Sequence, residues 1–350
     1  MIREVSLTID VSHALGLGEP AHIAVRVVLP DPALLGARPT VCFAKPGGGY
    51  TGGYFTCDLP GPATGNQAAF HAARGWIVVA SDNLGSGNSS NHAPHLLGFT
   101  QATAAARAAE EEVLLRLANG VLAEGYPPVT QPLRLGIGQS TGGALTLVQQ
   151  ARFESFDGIA LLGFSALHNH PPTPPGERPV VTPWFARDLP ADAPGGVINA
   201  GALRTEGGTG GSPWASLAWS FHYDDVPADV IEQDLAHYEA IAAGQPDAPR
   251  DPAPWLSYTT PHEAARFTLT PGTVAPEAAA VRVPVLCAMG ERDLVVDPPG
   301  ESRAFRSSPS VDLFVCPRMG HMHNFAGTRS LFWERIHRFG EWCGAAQGSG

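Results

Sequence analysis

Short apolar runs bounded by turn residues open the chain. REVSLTIDV (residues 3–11) and HIAVRVVLP (22–30) read as an antiparallel pair of strands. TVCFA (40–44) reads as a buried strand ending in the glycine-rich KPGGGYTGGY. A helical stretch near 66–74, the strand GWIVVASD and the turn-rich NLGSGNSSN follow. Residues 100–118 are rich in strong helix formers, and Gly120 is placed to end that helix. The strand LRLGIGQ then delivers Ser140, ALTLVQQARF continues as the helix behind it, and FDGIALLGFSA supplies a further buried strand.

After that strand the pattern breaks. Residues 168–280 carry many prolines and scattered tryptophans, with one clear helical segment, PADVIEQDLAHYEAIAAG, between Pro227 and Gly244. The stretch is too aromatic for a disordered linker and reads as an inserted lid. Strand and helix signals resume in VPVLCAMGERD, the helix-like GESRAFRSS, VDLFVCP and TRSLFWERIHRFGEW. Strands alternating with helices predict an α/β protein with a mostly parallel central sheet covered on both faces. The core then comprises 1–167 and 281–345, interrupted by a lid over 168–280 and followed by a disordered tail at 346–350.

Composition narrows the function classes. The net charge of -11, without a Lys/Arg cluster, argues against nucleic acid or an anionic membrane as partner. No apolar run approaches a membrane span, and Arg3, Glu4 and Asp10 interrupt the N-terminus where a signal peptide would be apolar, so the reading is a cytoplasmic protein. The five cysteines (Cys42, Cys57, Cys287, Cys316, Cys343) lack C-x-x-C spacing and read as buried free thiols. The histidine pairs at 168–170 and 321–323 lack metal-site spacing, so neither metal nor cofactor is expected.

The chemistry centres on LGIGQSTGGAL. Gly138-Gln139-Ser140-Thr141-Gly142 fits the G-x-S-x-G turn, in which a serine sits in an unfavourable backbone geometry between a strand and a helix and its neighbours must be small. A serine hydroxyl needs a base and an orienting acid. Asp293, just past VPVLCAM, is the expected acid, with Asp297 in reserve; the strand ending in Phe164, Ser165 and Ala166 offers no carboxylate. GHMHNF supplies His321 and His323. Gly320 allows the turn that aims His321 at the serine as base, leaving His323 to support the site or line the pocket. The Gly47-Gly48-Gly49 run points to an oxyanion hole made by the amides of Gly48, Gly49 and Thr141, with Tyr50 as a candidate support. It lacks both P-loop and dinucleotide-binding patterns. Asp82 and Asn83 read as structural residues of the neighbouring loop.

The ordered set PGGGY, SDNLGSGNSS, GIGQSTGG, MGERD and GHMHNF resembles the α/β-hydrolase superfamily, in particular actinobacterial-type hydrolases with a P-G-G-G-Y oxyanion loop. Pro46 departs from the histidine that ester-cleaving relatives often carry there. The resemblance implies a Ser140–His321–Asp293 hydrolase acting on a carboxylic ester or lactone, and some similar proteins open macrocyclic lactones such as zearalenone. The same triad could serve carbon-carbon bond hydrolysis or acyl transfer, and a receptor without turnover is the alternative of another class. The lid aromatics, with Trp184, Trp214 and Trp219 foremost, suggest a bulky, uncharged, ring-containing small molecule as partner. A homodimer is compatible with this reading.

Overall fold

The computed structural model describes residues 1–93, 96–177, 213–242, 251–261, 268 and 270–347, without the side chains of 213–216 and 239–242. Eight strands form one sheet in the order β1-β2-β4-β3-β5-β6-β7-β8. They are β1 (Arg3–Asp10), β2 (His22–Leu29), β3 (Thr40–Lys45), β4 (Ile77–Ser81), β5 (Leu133–Gln139), β6 (Gly158–Leu162), β7 (Val285–Arg292) and β8 (Val311–Gly320). β2 runs antiparallel to both β1 and β4, and the pairs from β4 to β8 are parallel. The chain passes from β3 outward to β4 and returns to β5 on the other side of β3. That reversal opens a crevice at the carboxyl ends of β3 and β5, the usual ligand position in such sheets.

Alternation along the strands divides the core in two. Val41, Phe43, Ile159, Leu161, Val285, Cys287 and Met289 join one apolar cluster, while Cys42, Ala44, Ala160, Leu162, Leu286 and Ala288 join the other. Successive side chains of a strand point to opposite faces, so a sheet buried on both sides needs apolar residues at every position. The first face is covered by α1 (Phe99–Ala118), α2 (Thr141–Phe153) and α3 (Ala275–Ala280); the second packs α4 (Gln67–Ala72 earlier in the chain) and α5 (Arg329–Gln347). Between β6 and β7 lie two further helices, α6 (Pro213–Phe221) and α7 (Ala228–Ala242), the latter matching the helix expected from PADVIEQDLAHYEAIAAG.

The structure departs from the sequence expectations at three places. GESRAFRSS forms only a short 3-10 turn over Pro298–Arg303, because paired prolines and Gly300 do not support a regular helix. β8 continues three residues beyond VDLFVCP to Gly320. The last helix runs to Gln347, through residues assigned to a disordered tail, and Arg38 Nη1 donates to Gln347 Oε1 at 2.6 Å. No helix among the described residues is long and apolar enough to cross a membrane.

α4 and α5 meet through a buried imidazole pair. His71 stacks on Trp76 with ring centroids 4.6 Å apart, and its Nδ1 lies 3.3 Å from Nδ1 of His337. Burial holds both imidazoles below their ordinary pKa. Above about pH 6.5 folded and unfolded chains both hold them neutral; below it the unfolded chain takes up protons that the folded chain refuses, so stability falls with pH. His71→Phe is therefore expected to flatten the drop in urea midpoint between about pH 7.5 and about pH 5.5. An unchanged drop would place that acid sensitivity elsewhere.

Candidate active site

Every residue singled out for chemistry follows the carboxyl end of a parallel strand. The glycine turn follows β3, Ser140 follows β5, Asp293 follows β7 and His321 follows β8. Ser140 occupies φ 52°, a region that L-residues rarely adopt, at the junction of β5 and α2. The flanking glycines allow the junction to close. A Cβ on Gly138 would overlap the backbone of Gly142, and one on Gly142 would overlap the carbonyl of Lys45.

Asp293 and both histidines form a buried cluster. The Asp293 carboxylate accepts from His321 Nδ1 at 2.7 Å (Oδ1) and from His323 Nε2 at 2.8 Å (Oδ2). It also accepts the backbone amides of Leu294 (2.7 Å) and Gly290 (2.9 Å). Burial alone would raise its pKa, but the imidazoles outweigh that and hold it well below the usual carboxylate range. A carboxylate only accepts, so His321 presents its Nδ1–H to Asp293 and its Nε2 lies on the far side of the ring. Burial keeps His323 below its ordinary pKa, and its Nδ1 is enclosed without a partner. Asp297, the reserve acid, instead accepts from the Gly300 amide (3.2 Å) and pairs with Arg303.

The relay from aspartate to histidine is closed, and its last step is open. Among the described residues Ser140 Oγ makes no hydrogen bond, and His321 Nε2 faces the Gln139 amide at 3.3 Å. Gln139 Nε2 also donates to the His321 carbonyl at 3.2 Å, which fixes the amide's orientation. Catalytic contacts in unliganded sites are often long and tighten on binding.

The proposed oxyanion donors separate. The Gly49 amide, expected in the hole, donates to Thr260 Oγ1 at 2.8 Å. The amides of Gly48 and Thr141 have no hydrogen-bond partner among the described residues. Both residues line one small pocket with the apolar Leu97, Phe99, Leu145 and Pro261 and the neutral polar Asn83, Ser86 and Thr260. Tyr50 spends its hydroxyl on Asp234, at 2.8 Å to each carboxylate oxygen. Asn83 Nδ2 donates to the Pro46 carbonyl (2.9 Å), and Asp82 accepts the Gly52 amide (2.8 Å).

Trp219 packs beside the acid of the site. It stacks on the Arg292 guanidinium at 4.4 Å, with Tyr223 on the same group at 4.6 Å, and so anchors the β6–β7 connection beside Asp293. Phe221 reaches the site too, its ring centroid 4.8 Å from that of His321. Trp184 and the side chain of Trp214 lie outside the described residues.

Several supporting residues have no motif to announce them. Asn324 donates to the Tyr54 carbonyl (3.0 Å) and Gln67 (3.1 Å) and accepts from Trp333 (2.7 Å), while Arg329 holds its carbonyl at 2.7 Å. Together these contacts fix the histidine loop. Glu301 brings a carboxyl to the end of β6 from the β7–β8 segment, where it bonds Ser165 and the Ala166 amide; burial pushes its pKa up to about 6. Gly163, at φ 58°, has no room for a side chain, since a Cβ would stand 2.9 Å from His321 Nδ1 and 3.0 Å from Asp293 Oδ2. Gly163→Ala is expected to displace that pair and lower kcat by about a hundredfold. A rate within about twofold of wild type would show that the pair tolerates the shift.

No protein-family model matches the chain, and no curated protein matches it by sequence. Solved structures do match over nearly its full length. An N-acyl homoserine lactonase complexed with N-hexanoyl homoserine is 16% identical, with 97% of this chain and 98% of that chain covered at a TM-score of 0.52. A thermophilic esterase from Thermogutta terrifontis is 13% identical (97% and 99% covered, TM-score 0.56). A proline iminopeptidase from Mycobacterium smegmatis is 17% identical (98% and 100% covered, TM-score 0.58). At these identities the likeness is one of fold.

Proposed function

Because this chain has the α/β-hydrolase fold, we propose that it is a serine hydrolase that cleaves a carboxylic ester or lactone of an uncharged, ring-containing small molecule. The observation that carries the reading is the buried Asp293–His321 pair, which presents His321 Nε2 on its far side toward the Gln139 amide, on the same sheet edge as a serine held at φ 52°. No charged residue lines the small pocket beside Thr141 and Gly48, which supports an uncharged substrate.

In this mechanism His321 Nε2 takes the proton of Ser140 Oγ as the oxygen attacks the carbonyl carbon. The carbonyl π electrons move to oxygen, and the amides of Gly48 and Thr141 stabilise the oxyanion. Asp293 stabilises the imidazolium without accepting its proton. The tetrahedral intermediate collapses, the alkoxide leaves with the proton from Nε2, and an acyl-Ser140 remains. Water then repeats the sequence and releases the acid. With a lactone the hydroxyl so formed remains part of the acyl chain, and the second step releases a single hydroxy acid.

Turnover of a chromogenic short-chain ester, a lactone panel and labelling by a fluorophosphonate test the reading. The expected result is hydrolysis together with one label per chain on Ser140. An unlabelled serine and no turnover of any ester or lactone would overturn it and favour a binding protein.

A further inference from the structure

The glycine turn after β3 is bonded chiefly by the chain between β6 and β7. From the core it receives the Tyr50-to-Gly47 turn bond (3.2 Å) and the Asn83 amide on the Pro46 carbonyl (2.9 Å). The core also takes the Gly52 amide on Asp82 (2.8 Å), and further bonds come from the other side. Tyr238 Oη donates to the Gly48 carbonyl at 2.8 Å, and the Gly49 amide donates to Thr260 Oγ1 at 2.8 Å. The Ser257 amide donates to the Gly49 carbonyl at 2.8 Å, and the Thr51 amide donates to the Trp255 carbonyl at 2.9 Å. Tyr50 is held by Asp234, which is 1% exposed and also accepts from His222 Nε2 at 2.8 Å.

The Gly48 carbonyl and the Gly49 amide are the two polar groups of a single peptide unit. That unit joins two residues without Cβ atoms, so local sterics leave its rotation free. Tyr238 and Thr260 grip it from both ends. Its plane sets the conformation at Gly48, whose own amide has no protein partner and lies beside Thr141.

We propose that the β6–β7 insertion builds the oxyanion hole as well as covering the pocket, with Tyr238 and Thr260 as positioning residues that fix the Gly48–Gly49 peptide. The inference rests on the reading of Gly48 as an oxyanion donor. Neither hydroxyl takes part in bond making. Each acts by anchoring the peptide that follows the donor: with the Gly48 carbonyl and the Gly49 amide fixed, rotation about the Gly48 N–Cα bond, which would swing the Gly48 amide away from the developing charge, is restrained, and pre-set donors are what such a site requires.

Tyr238→Phe and Thr260→Val each delete one hydroxyl and keep the side-chain shape. Each is expected to lower kcat for a chromogenic ester by about tenfold, and the pair by about a hundredfold, with KM moved less than about threefold. Hydrogen exchange of residues 46–52, followed on the same full-length variants, should accelerate. If wild type turns over the ester and the variants keep kcat within about twofold while losing only thermal stability, the inference falls and the hydrolase reading stands. If wild type turns over nothing, the hydrolase reading falls and exchange decides alone: acceleration supports a turn held by the insertion, and unchanged exchange overturns it.

Discussion

Replacing Ser140 with alanine is expected to lower kcat by about four to six orders of magnitude while leaving the fold and substrate affinity nearly intact. The hydroxyl makes no hydrogen bond among the described residues, so its removal leaves no buried partner stranded, and alanine meets the same backbone demand at φ 52°. His321→Ala should match it in severity. Combining the two should cost no more than either alone, because members of one catalytic unit are not additive. His323→Ala should cost less rate. Single-turnover kinetics and thermal midpoints for this set check the assignment; activity of Ser140→Ala within about tenfold of wild type would remove the serine from the mechanism.

Asp293→Asn is expected to lower kcat by about 10⁴, the loss seen when a triad carboxylate becomes an amide. The geometry here adds a second cost. The carboxylate accepts from two imidazoles at once, and an amide presents one acceptor and one donor, so either His321 or His323 must lose its bond or change tautomer. Losing charge-assisted bonds in a buried place should also lower stability by about 2–4 kcal/mol. The sign with pH follows from the lowered pKa of Asp293: its contribution is complete above about pH 4 and is lost as the pH falls through the lower folded value, a dependence the asparagine variant lacks. Asp297→Asn, which weakens the start of a 3-10 turn and gives up an exposed ion pair with Arg303, should keep its rate and lose about 1 kcal/mol. A collapsed rate in Asp297→Asn beside a near-normal one in Asp293→Asn would exchange their roles.

The sheet was legible because its signal is local and repeated. β3, β5, β6 and β7 are apolar runs ending where the site residues begin, and the glycines around Ser140 announce a junction that admits no side chains. Asp293 and His321 could be placed by chain order, and the structure joins them by a hydrogen bond. The insertion's contacts were not legible. The bonds from Tyr238 to Gly48 and from Thr260 to Gly49 link single residues 190 and 211 positions apart, and such pairs leave no periodic trace. The stacking of Trp219 on Arg292 was not legible for a related reason: aromatic content alone does not reveal a guanidinium partner that is remote in sequence. Glu301 escaped notice because it reaches the end of β6 from beyond β7.

On the proposed function, the double grip on the Gly48–Gly49 peptide constrains how selectivity can diverge on this chain. In a scaffold whose cap merely roofs the pocket, a foreign cap could be transplanted whole and would trade one substrate for another at similar speed. Here the transplant would carry away the hydroxyls of Tyr238 and Thr260, and rate would be lost before selectivity was gained. Lineages and designers alike must then change the cap piecemeal around a conserved frame at 238 and 254–260, or supply new donors to the turn in the same step.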